Sequence, residues 1–167
     1  MRDAFNPWTV VPELQSVMAY LQMRWKKVSL RANSIGAFFS MLAYREENLR
    51  KALFVSPIIN MEKLIGDMMI WAGVTEAELR ERGEIPTAFG ETLSWRYLAW
   101  VREHPIKNWR CPTSILYAGL DNLTSRETVD AFVKEYHAAF TVLEDVEHWF
   151  HTPEQLEALA AWERENL

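Results

Sequence analysis

Apolar, β-branched runs that alternate with helical patterns predict an α/β fold built on a parallel sheet of about four strands. Three features carry that expectation. The runs KVSLRANS, ALFVSPII, PTSILYAG and FTVLEDV read as strands. Helical spacing separates them, and parallel neighbours need crossover connections of this kind. A chain of 167 residues with 49% hydrophobic content is also long enough to bury a continuous core.

Taken in order, Pro12 and Glu13 suit a helix start, and Val11, Leu14, Val17, Met18, Leu21 and Trp25 recur at spacings of three and four. A helix is expected over residues 12 to 25. KVSLRANS follows as a short strand, then an apolar helix over residues 35 to 44. The polar loop REENLRK leads into ALFVSPII, a strand ending near Pro57. Residues 61 to 109 give helical patterns broken by Gly73, Gly83, Pro86 and Gly90, so a helical insertion without strands is expected there. PTSILYAG is the third strand. Thr124 with Glu127 three residues later is a capping-box signature for a helix reaching about Ala138. FTVLEDV is the fourth strand, and Thr152, Pro153 and Gln155 open a last helix that runs to near Asn166. Arg31 fits poorly, because a parallel sheet covered on both faces would bury it; its charge needs water or a partner.

Composition narrows the function. One domain is expected over residues 1 to 167, with no repeat or linker. A net charge of −5 disfavours nucleic acid, whose binders gather Lys and Arg on one face. The N-terminal segment MRDAFNPWTVVPEL lacks the pattern of a leader, and no segment is apolar enough to span a bilayer, so a cytoplasmic location is expected. The single cysteine, Cys111, allows no internal disulfide and no multi-cysteine metal site, and its place before an apolar run suits packing. Eight Trp and eight Phe need housing, either in an aromatic core or in the wall of an apolar pocket.

The chemistry centres on ANSIG, residues 32 to 36, which matches the G-x-S-x-G nucleophile elbow with Ala32 in place of the first glycine. Ser-x-Gly alone is common. Its place between a strand and a helix singles it out, since a serine on so sharp a turn is presented on a strained backbone that small neighbours accommodate. Asp121 follows the third strand, at the end of the sheet where α/β proteins gather their sites; an Asx-turn is the other reading of it. His148 lies after the fourth strand, with His151 its rival. HWFH also resembles a two-histidine metal site but lacks a third ligand. His104 and His137 fall within helical patterns and read as structural or exposed.

Ser34, Asp121 and His148, each after a different strand, follow the order of the α/β-hydrolases. From about Val11 to its C-terminus the chain resembles the C-terminal part of that superfamily, especially its bacterial esterase and serine-aminopeptidase-like members. The resemblance implies Ser34 as nucleophile, Asp121 as orienting acid and His148 as general base, with no cofactor. It implies that the Ile35 N–H forms part of the oxyanion hole, and that residues 61 to 109 form a lid whose Met68, Met69, Trp71, Trp95 and Trp100 line a pocket. The substrate would be a small ester, thioester or amide with an apolar acyl group. The superfamily's first four strands and second oxyanion donor have no counterpart in this sequence. Two readings follow: a working serine hydrolase, or a truncated, catalytically inactive remnant that self-associates. The nucleophile strand would lie at the sheet edge, which predicts a homodimer formed there.

Overall fold

A computed structural model describes residues 5–167. Residues 1 to 4, the start of the segment read for a leader, lie outside the described residues. Four strands form a parallel sheet: β1 (Ser29–Asn33), β2 (Lys51–Val55), β5 (Thr113–Ala118) and β6 (Ala139–Leu143), in the spatial order β1-β2-β5-β6. The register sets Asn33 beside Val55, Val55 beside Leu116, and Ala118 beside Leu143. β1 and β2 therefore end together, β5 and β6 end together two positions further on, and the loops that follow all four emerge along the same edge of the sheet.

Alternation along β2 explains the layering. Ala52 and Phe54 enter the larger core with Met41, Ile115, Tyr117 and Val129, whereas Leu53 and Val55 face Leu116, Leu159 and Trp162 on the opposite side. The first face carries α2 (Ile35–Tyr44) and α6 (Arg126–Tyr136), and the second carries α7 (Pro153–Asn166). β5 is buried at all six positions, as a strand covered on both faces must be. β1 is different. Among the described residues it pairs with β2 alone, its residues are largely exposed, and Arg31 reaches Glu163 of α7 at 2.7 Å. The misfit of Arg31 is thus resolved by its place on an edge strand, with a partner.

Three expectations are corrected. Helix α1 spans Pro7–Gln22, beginning earlier than residue 12: the Asn6 side chain accepts the Thr9 N–H at 2.9 Å, and Pro7 occupies the first turn, where a missing N–H costs nothing. Pro12 is tolerated inside it. The segment between β2 and β5 contains α3 (Met61–Ala72), α4 (Glu76–Arg82) and α5 (Trp95–Glu103), but also an antiparallel hairpin, β3 (Glu84–Pro86) with β4 (Thr92–Ser94). Each of these strands buries one residue, Ile85 or Leu93, so neither shows the repeated alternation that marks a strand in sequence. Finally, the N-cap of α6 is Ser125, which accepts the Thr128 N–H. The Thr124 hydroxyl points instead into the protein. The expected capping box of α7, Thr152 with Gln155, is present with both its bonds.

Candidate active site

Ser34 stands between β1 and α2 with φ 47° and ψ −125°. Such a conformation costs a non-glycine residue on the order of 1–3 kcal/mol and persists only when its surroundings impose it. Here the backbone imposes it from the next strand. The Ser34 N–H donates to Val55 O at 3.0 Å, and Ser34 O accepts the N–H groups of Ile58 at 3.0 Å and Ala37 at 3.1 Å. Ala32 fits the elbow without crowding: a methyl placed on Gly36 would lie 3.8 Å from the Ala32 Cβ, an ordinary contact.

The side chains of Ser34, His148 and Asp121 form one hydrogen-bonded line. The Asp121 carboxylate is fully buried, and its Oδ2 accepts His148 Nδ1–H at 2.7 Å. A carboxylate can only accept here, so the proton is on Nδ1 and the Nε2 lone pair faces outward. Nε2 lies 2.9 Å from Ser34 Oγ and accepts its hydroxyl proton. The other carboxylate oxygen, Oδ1, accepts the N–H groups of Leu123 at 2.8 Å and Thr124 at 3.1 Å. Asp121 is therefore both the Asx-turn residue and the partner of histidine, with one oxygen for each task. Three donors offset the burial of its charge.

His151 has local work. Its Nδ1 faces Trp149 O at 2.7 Å and its N–H donates to Gln155 at the start of α7. His104 stacks on Trp100 with centroids 3.9 Å apart, and His137 is the left-handed C-cap of α6. Among the described residues no group of three or more His, Cys, Asp or Glu is placed to hold a metal ion. Cys111 is buried, and burial pushes its thiol up to about 11. Ile35 is the first residue of α2, where its N–H has no carbonyl of its own helix to reach and adds to the positive end of the helix dipole.

The expected pocket residues divide. Met68 and Met69 are buried in a core cluster with Phe38, Phe39 and Leu42. Met68 and Met69 continue the stripe of Leu64 and Ile65 along the inward face of α3. Trp95 and Trp100 pack partly buried against the same cluster, and Trp71 is half exposed, edge-on to Phe89. Ile35 and Leu123, beside Ser34 and Asp121, also pack against this cluster, which joins residues of α2 to residues of the segment between β2 and β5. A separate cavity of about 640 Å³, floored by Phe38, Met61, Val101, Ile106 and Phe132, touches neither Ser34 nor any of the five expected pocket residues.

Two positions matter here that the sequence does not mark as part of the site. Gly119 lies so close to the β6 end that an added methyl would sit 2.6 Å from Glu144 Cα and 2.8 Å from Glu144 C. Thr124 is buried and bonded on three sides.

No protein-family model and no curated protein matches the sequence. Solved structures do match. Est1E from Butyrivibrio proteoclasticus superposes with a TM-score of 0.73 over 96% of this chain and 70% of its own, at 17% identity. The mouse α/β hydrolase domain-containing protein 10 gives a TM-score of 0.70 over 93% and 68%, at 13% identity. The chain has the α/β-hydrolase fold. The Pyrococcus furiosus esterase PF2001 shares this fold, with a TM-score of 0.63 over 94% of this chain and 60% of its own, at 15% identity. Est1E is also known with ferulic acid bound. At such identities the likeness is one of fold, and the chemistry rests on the site itself. No helix among the described residues is long and apolar enough to cross a membrane.

Proposed function

We propose that this chain is a serine hydrolase acting on a small ester, thioester or amide with an apolar acyl group. The observation that carries the reading is the unbroken line from Ser34 Oγ through His148 to a buried Asp121, set on a strained strand-to-helix turn. As Ser34 Oγ attacks the acyl carbonyl carbon, His148 Nε2 takes its proton, and Asp121 stabilises the imidazolium that results. The carbonyl oxygen becomes an oxyanion facing the Ile35 N–H. Collapse expels the leaving group, which takes the proton from His148. Water then attacks the acyl-enzyme with His148 as base, and the acid and Ser34 are released.

The segment from residue 61 to 109 serves as a lid over this site, a reading favoured by the core cluster that its residues share with α2 and that Ile35 and Leu123 pack against. The ferulic acid bound to Est1E recommends aryl as well as alkyl esters in the substrate panel. A fluorophosphonate probe tests the mechanism without requiring the natural substrate. Labelling of the wild-type chain that is lost in Ser34→Ala is the expected result; labelling that survives this change defeats the proposal.

The second reading, an inactive self-associating module, is favoured by one surface. Among the described residues β1 has no strand on its outer edge, and Val17 and Tyr20 of α1 are about half exposed, with Met23 and Trp25 more exposed beyond it. On either reading a homodimer formed through β1 is proposed, and absence of labelling in a folded dimer selects the inactive module.

A further inference from the structure

The nucleophile and the acid sit on loops from different strands, and one buried residue ties those loops together. Thr124 lies three positions after Asp121 and is 4% exposed. Its N–H donates to Asp121 Oδ1 at 3.1 Å, and its carbonyl accepts the Tyr117 hydroxyl of β5 at 2.9 Å. Its hydroxyl crosses 67 positions of sequence to donate to Pro57 O at 3.0 Å. Pro57 belongs to the loop that clamps the elbow: Val55 O holds the Ser34 N–H and the Ile58 N–H holds Ser34 O. Ser56, within that clamp, is itself at φ 40° and buried, so this loop is strained and depends on external ties.

We infer that Thr124 is a positioning residue that fixes the nucleophile loop against the acid loop. The inference rests on the serine-hydrolase reading only for its kinetic consequence. Without the hydroxyl, Pro57 O loses its donor, and past the Ser56 N–H to Leu116 O bond at 2.9 Å the loop bearing Ile58 is free to move relative to Asp121. Asp121 keeps its own turn, so the acid and histidine stay together while the serine drifts from Nε2. Displacements of about 1 Å between reacting groups cost on the order of a hundredfold in rate.

The test compares Thr124→Val, which keeps the shape and removes the hydroxyl, with Thr124→Ser, which restores it. Three readouts are taken on the full chain: the melting temperature, the saturation kinetics of fluorophosphonate labelling, and the proton spectrum of the His148 imidazole with its response to pH. The expected result for Thr124→Val is a maximal labelling rate lowered roughly ten- to a hundredfold, with half-saturation unchanged and recovery in Thr124→Ser. The His148 Nδ1–H signal should remain while its titration shifts, because the serine hydroxyl no longer sits at Nε2. A purely structural residue would lower the melting temperature in both variants and leave that titration alone. If the valine variant fails to fold, Thr124→Ala is measured in the same way.

Equal labelling and equal titration in wild type and valine variant overturn the inference. If the wild-type chain does not label, the titration still decides: a shift in valine that serine reverses upholds the positioning role while the hydrolase reading falls. No shift then removes both.

Discussion

Replacing Gly119 by alanine is expected to disable the site without touching any of its three side chains. Gly119 does not adopt a left-handed conformation; it is required by proximity. An added methyl would meet the Glu144 backbone at 2.6 Å from Cα and 2.8 Å from C, and closer still to the carbonyl oxygen. Optimal carbon contacts lie at about 3.5–4.0 Å, so the two chain segments must part by roughly 1 Å. Backbone cannot swing aside as a flexible side chain does. The same contact contains the bonds Gly119 N–H to Leu143 O at 2.8 Å and Leu120 N–H to Val146 O at 2.9 Å, which join the Asp121 loop to the His148 loop. Overpacking of this type costs about 1–3 kcal/mol. A net 0.5–1.5 kcal/mol, roughly, accompanies each hydrogen bond weakened. On the proposed mechanism, separation of about 1 Å between Asp121 and His148 predicts a labelling rate lowered on the order of a hundredfold. Thermal unfolding and fluorophosphonate labelling of Gly119→Ala measure both quantities. A variant with the wild-type melting temperature and labelling rate would refute the argument that close approach of these loops assembles the site.

Ser34→Ala and His148→Ala should each lower turnover by about 10⁴-fold or more, whereas His151→Ala should leave it near wild type; ester hydrolysis by the three variants separates the two histidines. Cys111 should resist a thiol reagent at pH 8 in the folded protein and react on unfolding. Its thiol titrates near 9 when exposed and near 11 when buried, so its contribution to stability is intact below pH 9 and is lost as the pH rises through 11; urea midpoints across that range measure the loss. A homodimer through β1 should appear at micromolar concentration by light scattering and protect the amides of residues 29 to 33 from exchange, and a monomer with those amides unprotected removes that proposal.

Much of this architecture was legible in the sequence because its strands are long enough to show their pattern. ALFVSPII and PTSILYAG are continuous apolar runs, and the helix over residues 35 to 44 is found at those limits. The start of α1 was misread because two prolines compete, and the decisive Asn6-Pro7 pair lies one and a half turns before the apolar spacing becomes regular. The hairpin in the inserted segment was illegible for another reason: strands of three residues offer a single inward position each. Thr124 was misassigned because Ser125 competes for the same cap, and only the approach of Pro57, 67 positions away, decides between them. Gly119 carried no local signal at all. Its need is set by Glu144 across the sheet, and sequence spacing holds no record of that distance.

Why His148 rather than His151 reaches the serine follows from the direction of the loop after β6 and not from its length. Ser34, Asp121 and His148 leave the sheet at its first, third and fourth strands, and neighbouring strands lie about 4.8 Å apart. From the end of β6 the imidazole must therefore return across β5 and β2, a span of roughly 14 Å, to meet an elbow on β1. Five positions of chain lead from Leu143 to His148; when extended they reach about 17 Å at most, so length alone permits the approach and would permit it for His151 too. Direction is what distinguishes them. Val146 is buried, its N–H donates to Leu143 O, and its carbonyl accepts the Leu120 N–H, which turns the chain back over the end of β5. His148 comes two residues after that anchor, while the chain still lies above the strand ends. By His151 the backbone is already bonded to Gln155 and committed to the start of α7. The anchor at Leu120 belongs to the loop of Asp121, so the contact that aims His148 is made by the loop that carries its carboxylate partner.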